Sequence, residues 1–201
     1  MTKSEPFEVP LDTLTHFGAT QWCRHLLDDS AYTPVDTLSR HPKSSTEDSV
    51  FAETLSTPST ISHCLSLRRK SGIRPLLEPS NPPLEVANAD PEPAPAELLT
   101  LLTLGSGVNG HPQVAHGGVA ALILDELLSF LVGFHQARSS YTVSLNTTFK
   151  NPMPTPGTVL MRGWLLRRQG RKLWARGRIE SGQGLVYASA EGLWVEVRHS
   201  L

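Results

Sequence analysis

His116-Gly117-Gly118-Val119-Ala120-Ala121-Leu122-Ile123-Leu124-Asp125-Glu126-Leu127-Leu128-Ser129-Phe130-Leu131-Val132 is the stretch on which the reading of this chain turns. It opens on a glycine pair, is apolar on almost every side and carries a carboxylate roughly two turns in. A surface helix shows a polar face, so a helix apolar all round is a buried one and must be wrapped. The wrapping is supplied from Tyr141 onward, where β-type runs cover Thr142 to Phe149, Thr158 to Leu166, Lys172 to Glu180 and Leu185 to Val197. Turn residues bound them: Asn151-Pro152 with Pro154, Pro156 and Gly157, then Gln169-Gly170, then Ser181-Gly182-Gln183-Gly184. Short turns join antiparallel neighbours. The expected class is α+β, a curved antiparallel sheet packed around one long central helix.

Upstream, Ile61 to Arg69 reads as a first strand, with alternation through Ile61, His63, Leu65 and Leu67, and Leu98 to Leu104 as its partner. Between them Glu78 to Ala96 is dense in proline and reads as an irregular surface insertion, either a plain loop or a lid over a site. Leu14 to Asp29 is helix-like, and Phe17, Trp22, Leu26 and Leu27 give it a face for docking rather than for ligand contact. From Thr33 to Ser59 the composition turns to Pro, Ser, Thr and charge, with Val50, Phe51, Ala52 and Leu55 as a brief apolar anchor. A long connection over the surface is expected there. The expected division is a leader over 1–60 and the sheet-and-helix domain over 61–201.

Composition narrows the partners. Lys and Arg number 18 against 19 Asp and Glu, so no basic field recommends nucleic acid. Cys23 and Cys64 stand far apart, which argues against a disulfide framework or a zinc site and for free thiols in a reducing compartment. Met1 to Pro10 shows no apolar run of the kind a signal peptide needs. Asp125, Glu126 and Ser129 interrupt the central helix, so a membrane span is not expected. A soluble cytoplasmic protein is the default expectation.

The central stretch can support acyl-transfer chemistry. A helix N-terminus leaves backbone N–H groups unpaired at the positive end of the helix dipole, and glycine lets a ligand approach closely. Gly117 N–H is therefore the candidate donor to a carbonyl oxygen that turns negative, and losing such a donor costs about 2.7–4 kcal/mol of transition-state stabilisation. Asp125 lies among leucines, where a carboxylate must be paired, solvated by a cleft or protonated, and such groups gather at functional sites. Glu126 points a third of the way round the helix and reads as a solvated or ion-paired rim residue. Beside a carbonyl-gripping helix end, Asp125 suggests hydrolysis of an activated acyl group, by activating water or by attacking directly. His116 with His111 lacks a third ligand, so His116 reads as a loop-bonding residue rather than a metal ligand or base. No metal and no cofactor is expected.

The motif His116-Gly117-Gly118, six residues, Asp125, a helix and then Thr142-Val143-Ser144-Leu145-Asn146-Thr147-Thr148-Phe149-Lys150-Asn151-Pro152 resembles the hotdog-fold acyl-CoA thioesterases. The likeness is to thioesterase superfamily members 4 and 5 and the phenylacetate-pathway type, over about Glu97 to Val197. More loosely, Trp22-Cys23 with Leu26-Leu27 and the run Ser45 to Leu55 are similar to the leader of fungal members, some of which release acyl or polyketide chains in secondary metabolism. The resemblance implies five or six antiparallel strands around the helix and a homodimer or dimer of dimers with sites at the interface. It implies Asp125 as general base or nucleophile, Gly117 as oxyanion donor, Thr142 in contact with the water or carboxylate, and Asn109 as the polar residue before His-Gly-Gly. The loop from Asn109 to Ala115 is one residue longer than usual, which leaves His111 or Gln113 as substitutes for Asn109.

His116, Gly118, Lys150 and Asn151 are the expected substrate-binding neighbours. Arg167 and Arg168, in a basic hairpin with Arg171 and Lys172, are candidates for coenzyme A phosphates or an acidic carrier protein, although exposed turn charges without a ligand look the same. The expected substrate is an acyl-CoA or carrier-bound acyl thioester. A non-catalytic acyl-binding module and a hydratase or dehydratase on the same fold are the rivals. The latter wants an Asp-His pairing that Asp125 to Ser129 does not show.

Overall fold

The computed structural model describes residues 7–70, 96–136 and 138–197. The proline-dense insertion expected over Glu78 to Ala96 lies, apart from Ala96, outside the described residues. The central helix, α3, spans Gly117–Gly133. Ile123, Leu124, Leu127, Leu128 and Val132 are fully buried, as an all-round apolar helix requires.

Seven strands wrap it: β1 (Tyr32–Val35), β2 (Ile61–Arg69), β3 (Leu98–Leu104), β6 (Ser140–Phe149), β7 (Gly157–Gln169), β8 (Lys172–Glu180) and β9 (Val186–Glu196). Their order is β1-β2-β3-β7-β8-β9-β6, every pair antiparallel. This is the hotdog arrangement that the resemblance implies. A short hairpin, β4 (Asn109–His111) with β5 (Val114–Ala115), leads into α3.

The sheet has one strand more than the five or six expected. The addition is β1, which overlaps the start of the long surface connection expected from Thr33 and pairs Tyr32 with Arg69 and Val35 with Ser66. Four residues containing Pro34 make no strand signal, yet proline is tolerated on a sheet edge, where its missing N–H is not needed.

The leader also builds a third layer. The single helix expected over Leu14 to Asp29 is two, α1 (Leu11–Gly18) and α2 (Gln21–Leu27), with Thr20 extended between them. Phe17 and Cys23 are buried in a second core with Leu65, Leu67, Leu99, Leu101 and Leu160. Leu98, Leu102 and Leu104 of β3 instead join the core around α3. Successive strand residues point to opposite faces, so β3 is covered on both, and its run Leu98-Leu99-Thr100-Leu101-Leu102 has no polar side to show. A bulge at Ile61/His63 in β2 shifts the alternation, so that Ile61 faces α3 while Leu65 and Leu67 face the leader helices. The expected docking role of Phe17 follows from this second core.

Between the layers the leader is fastened by Arg40. Its guanidinium donates to the carbonyls of Phe51 at 2.9 Å, Leu55 at 3.1 Å and Ile61 at 2.9 Å. Phe51, Ala52 and Leu55, the expected apolar anchor, are buried there, while Val50 is exposed.

Candidate active site

Two loci on α3 carry the residues singled out. The first is the helix mouth. His116 is the cap, and its Nδ1 accepts the Gly118 N–H at 2.9 Å. That bond engages the Gly118 amide and makes His116 the side-chain cap of α3. The Gly117 N–H, the first of the helix, meets no partner among the described residues, as the opening turn of a helix leads one to expect.

Gly117 forms part of the wall of a cavity of about 350 Å³ with Ala115, Ala120, Phe149, Lys150, Asn151, Met153 and Tyr187. A Cβ on Gly117 would meet the Phe149 ring at 3.3 Å, so the absence of a side chain keeps that space open. Phe149, Tyr187 and Met153 were not singled out from the sequence; they read there only as strand and loop residues. The chain around the cavity is held by backbone bonds: Lys150 N–H donates to the Tyr187 carbonyl at 2.8 Å, and Ala115 N–H to the Met153 carbonyl at 2.9 Å. Asn151 uses its side-chain N–H on the Val186 carbonyl at 2.7 Å.

Asn109 sits on the hairpin beside the cap, opposite Ala115. Its side-chain oxygen accepts from the Thr155 hydroxyl. Of the two possible substitutes, His111 is exposed and Gln113 stands at the hairpin tip with φ of 60°.

The second locus lies midway along α3. Asp125 is half-buried, and its Oδ1 accepts from the Thr142 hydroxyl at 2.9 Å. The two residues that the motif sets apart are therefore joined in space. Thr142 occupies one carboxylate oxygen and leaves the other for a water or a carbonyl carbon. A bulge in β6 between Thr142 and Ser144 turns the strand at this point, a device that re-aims side chains beside functional sites.

Glu126 differs from its expected place at the rim. It is half-buried beneath the leader, and burial pushes its carboxyl above the ordinary glutamate range, helped by Asp48 and Asp125 and opposed by the Ser39 hydroxyl and Lys43. Helix geometry placed it a third of a turn from Asp125; nothing local revealed that residues 39–48 would fold over it. Cys64, packed on the same side, has its thiol pushed up by burial to about 11, which leaves it protonated and unsuited to nucleophilic work.

Arg167 and Arg168 stand at the other end of α3. The Arg167 guanidinium lies 3.7 Å over the Trp174 ring, and Arg168 binds the Glu196 carboxylate at 3.1 Å and the His135 carbonyl beyond the helix C-terminus. Within one chain they are the length of the helix away from Gly117 and occupied by the fold. The β7–β8 hairpin that carries them turns back at that end of the sheet.

An antiparallel sheet around a central helix thus carries, on that helix, a carboxylate held by a strand hydroxyl and a bare amide at the helix mouth. The sequence model of the thioesterase superfamily matches residues 112–188, a stretch that holds α3 with Gly117 and Asp125, and Thr142. Among characterised proteins the chain is similar to the acyl-coenzyme A thioesterase THEM5 of Homo sapiens, 32% identical over 108 residues that cover 53% of this chain and 43% of that relative. It is also similar to the acyl-coenzyme A thioesterase THEM4 of Bos taurus, 30% identical over 94 residues, 46% of this chain and 38% of the relative. The match thus spans less than half the length of these curated relatives. A crystal structure of a thioesterase superfamily protein shares 32% identity over 49% of this chain and 48% of its own, with a TM-score of 0.46. No helix among the described residues is long and apolar enough to cross a membrane.

Proposed function

We propose that the chain hydrolyses acyl-CoA thioesters, with Asp125 as the general base or nucleophile and Gly117 N–H as the donor to the carbonyl oxygen. The observation that carries this reading is the 2.9 Å bond from Thr142 to Asp125, which fixes a helix carboxylate with one oxygen free. In the general-base route Asp125 takes a proton from water as the water oxygen bonds to the thioester carbon. The oxyanion draws on the Gly117 amide, the carbon–sulfur bond breaks, and the thiol leaves with a proton. In the nucleophilic route the carboxylate itself attacks and water cleaves the resulting anhydride. A single turnover in ¹⁸O water separates them, because hydrolysis at the Asp125 carbonyl of an anhydride leaves label in the protein.

One chain does not bring the two groups to one carbonyl. Asp125 follows Gly117 by eight residues on the same helix, about 12 Å along its axis at 1.5 Å per residue. A second copy is therefore part of the proposal. β6 is one edge of the sheet and shows Tyr141, Val143 and Phe149 to solvent, each more than half exposed. An open edge with apolar side chains is a pairing surface, and a homodimer joined there sets Asp125 of one copy against the helix mouth of the other.

A panel of acetyl-, hexanoyl-, palmitoyl- and benzoyl-CoA, followed by thiol release, tests the reading and reports acyl preference. Asp125→Asn is expected to lower kcat at least a hundredfold with the fold and assembly unchanged, an order of magnitude in keeping with loss of a positioned acid–base group. A parent protein that binds these esters without releasing thiol is instead an acyl-binding module. The same panel on an acyl carrier protein extends the proposal to carrier-bound chains, whose thioester presents the same carbonyl and sulfur.

A further inference from the structure

The geometry points to Trp194 and Ser129 as positioning residues for the Asp125–Thr142 pair, an inference that rests on the reading of Asp125 as the reacting carboxylate. Ser129 lies four residues after Asp125, so the two share a face of α3, one turn apart. Trp194 on β9 is the cross-strand partner of Thr142 on β6. The Trp194 indole N–H donates to the Ser129 hydroxyl at 2.8 Å, and the ring is fully buried. The helix and the strand pair are thus tied at two points one turn apart: Thr142 to Asp125, and Trp194 to Ser129.

The two ties differ in kind. Thr142 is solvent-exposed and lies at a bulge, where the β6–β9 pairing is locally broken. Its hydroxyl reaches α3 through the one bond to Asp125. Trp194 is fully buried, and its ring packs over Gly192, in the space that a Cβ there would need, at 2.4 Å. A rigid indole anchored to the helix, next to a pliable bulge, sets the separation between Asp125 and Thr142. A buried indole N–H also needs an acceptor, and Ser129 supplies it from the helix that carries the carboxylate. Ser129 and Trp194 touch no substrate in this arrangement; they act through Thr142.

The test uses Ser129→Ala, which removes only the acceptor, and Trp194→Phe, which keeps an aromatic ring and removes the donor. Each is assayed with the ester of the panel above that the parent turns over fastest. Each is expected to lower kcat roughly fivefold to tenfold, the worth of one hydrogen bond at a reacting group, with KM changed less than twofold. In a Thr142→Val background, Ser129→Ala is expected to lower kcat less than twofold further, because the group it positions is already gone. A loss that multiplies in full in that background overturns the inference, as does an unchanged kcat in both single variants. A crystal structure of Ser129→Ala gives a second readout that does not depend on turnover. The inference expects the Thr142 hydroxyl beyond 3.5 Å from Asp125, the outer limit of a hydrogen bond. Persistence of the parent contact overturns it, even for a parent protein that releases no thiol and so refutes the hydrolase reading.

Discussion

Glu126 stands one residue beyond Asp125 and faces the leader. Burial under the leader raises its carboxyl above the ordinary value of 4.5, so the folded state holds the proton more tightly than the unfolded chain does. Its contribution to stability is fully present below that ordinary value and is lost as pH rises through the raised folded value. Glu126→Gln removes the titration. The variant is expected to match the parent in acid and to exceed it at neutral pH, read as the urea midpoint across pH 4 to 8; parallel curves for the two proteins would contradict it. What was legible here was local. The run of leucines around Asp125 marked its carboxylate as out of place, and the spacing from His116-Gly117-Gly118 set it two turns from the helix mouth. The surroundings of Glu126, and the Ser129 acceptor for Trp194, depend on residues 39–48 and 194, which no helix periodicity connects to α3.

Among the strands, β9 leaves no room for a side chain at Gly192. A Cβ at Gly192 would fall 2.4 Å from the Trp194 ring and 3.0 Å from the Ser144 carbonyl oxygen, so neither neighbour can yield without moving the helix or the bulge. Gly192→Ala is expected to destabilise the fold by about 1–3 kcal/mol, the usual range for overpacking a core, and to lower Tm by about 2–4 °C for each kcal/mol. Thermal unfolding followed by circular dichroism checks it. Strand placement itself was readable: β2, β3 and β8 span Ile61–Arg69, Leu98–Leu104 and Lys172–Glu180, where apolar runs meet clear turn residues. β1 was not, since four residues with a proline carry neither alternation nor length. Nor was the gap between α1 and α2, where one apolar face continues across a break at Ala19 and Thr20. Bulges at Ile61/His63 and Thr142/Ser144 are equally silent, because a shift of register shows only once the partner strand is known.

For the molecule as a whole, the open question is the free edge of β6. Val143→Lys puts a charge on that edge, the means by which natural sheets prevent pairing. Sedimentation is expected to show the variant as a single chain and the parent as a larger species, with thiol release falling at least tenfold in the variant. A fully active single chain would exclude the shared site. The resemblance pointed to the edge; the sequence alone marked β6 only as a strand of mixed character. The leader was expected over residues 1–60, with a helix docked on the domain that follows. In the fold, Phe17 and Cys23 rest on Leu65, Leu67, Leu99, Leu101 and Leu160, and Arg40 grips the first residue of β2. Each of those five leucines is worth about 2 kcal/mol when kept from water. A protein expressed from Ile61 onward would therefore present a greasy slab the size of a sheet face, and its fate in the test tube would be precipitation rather than a smaller folded domain.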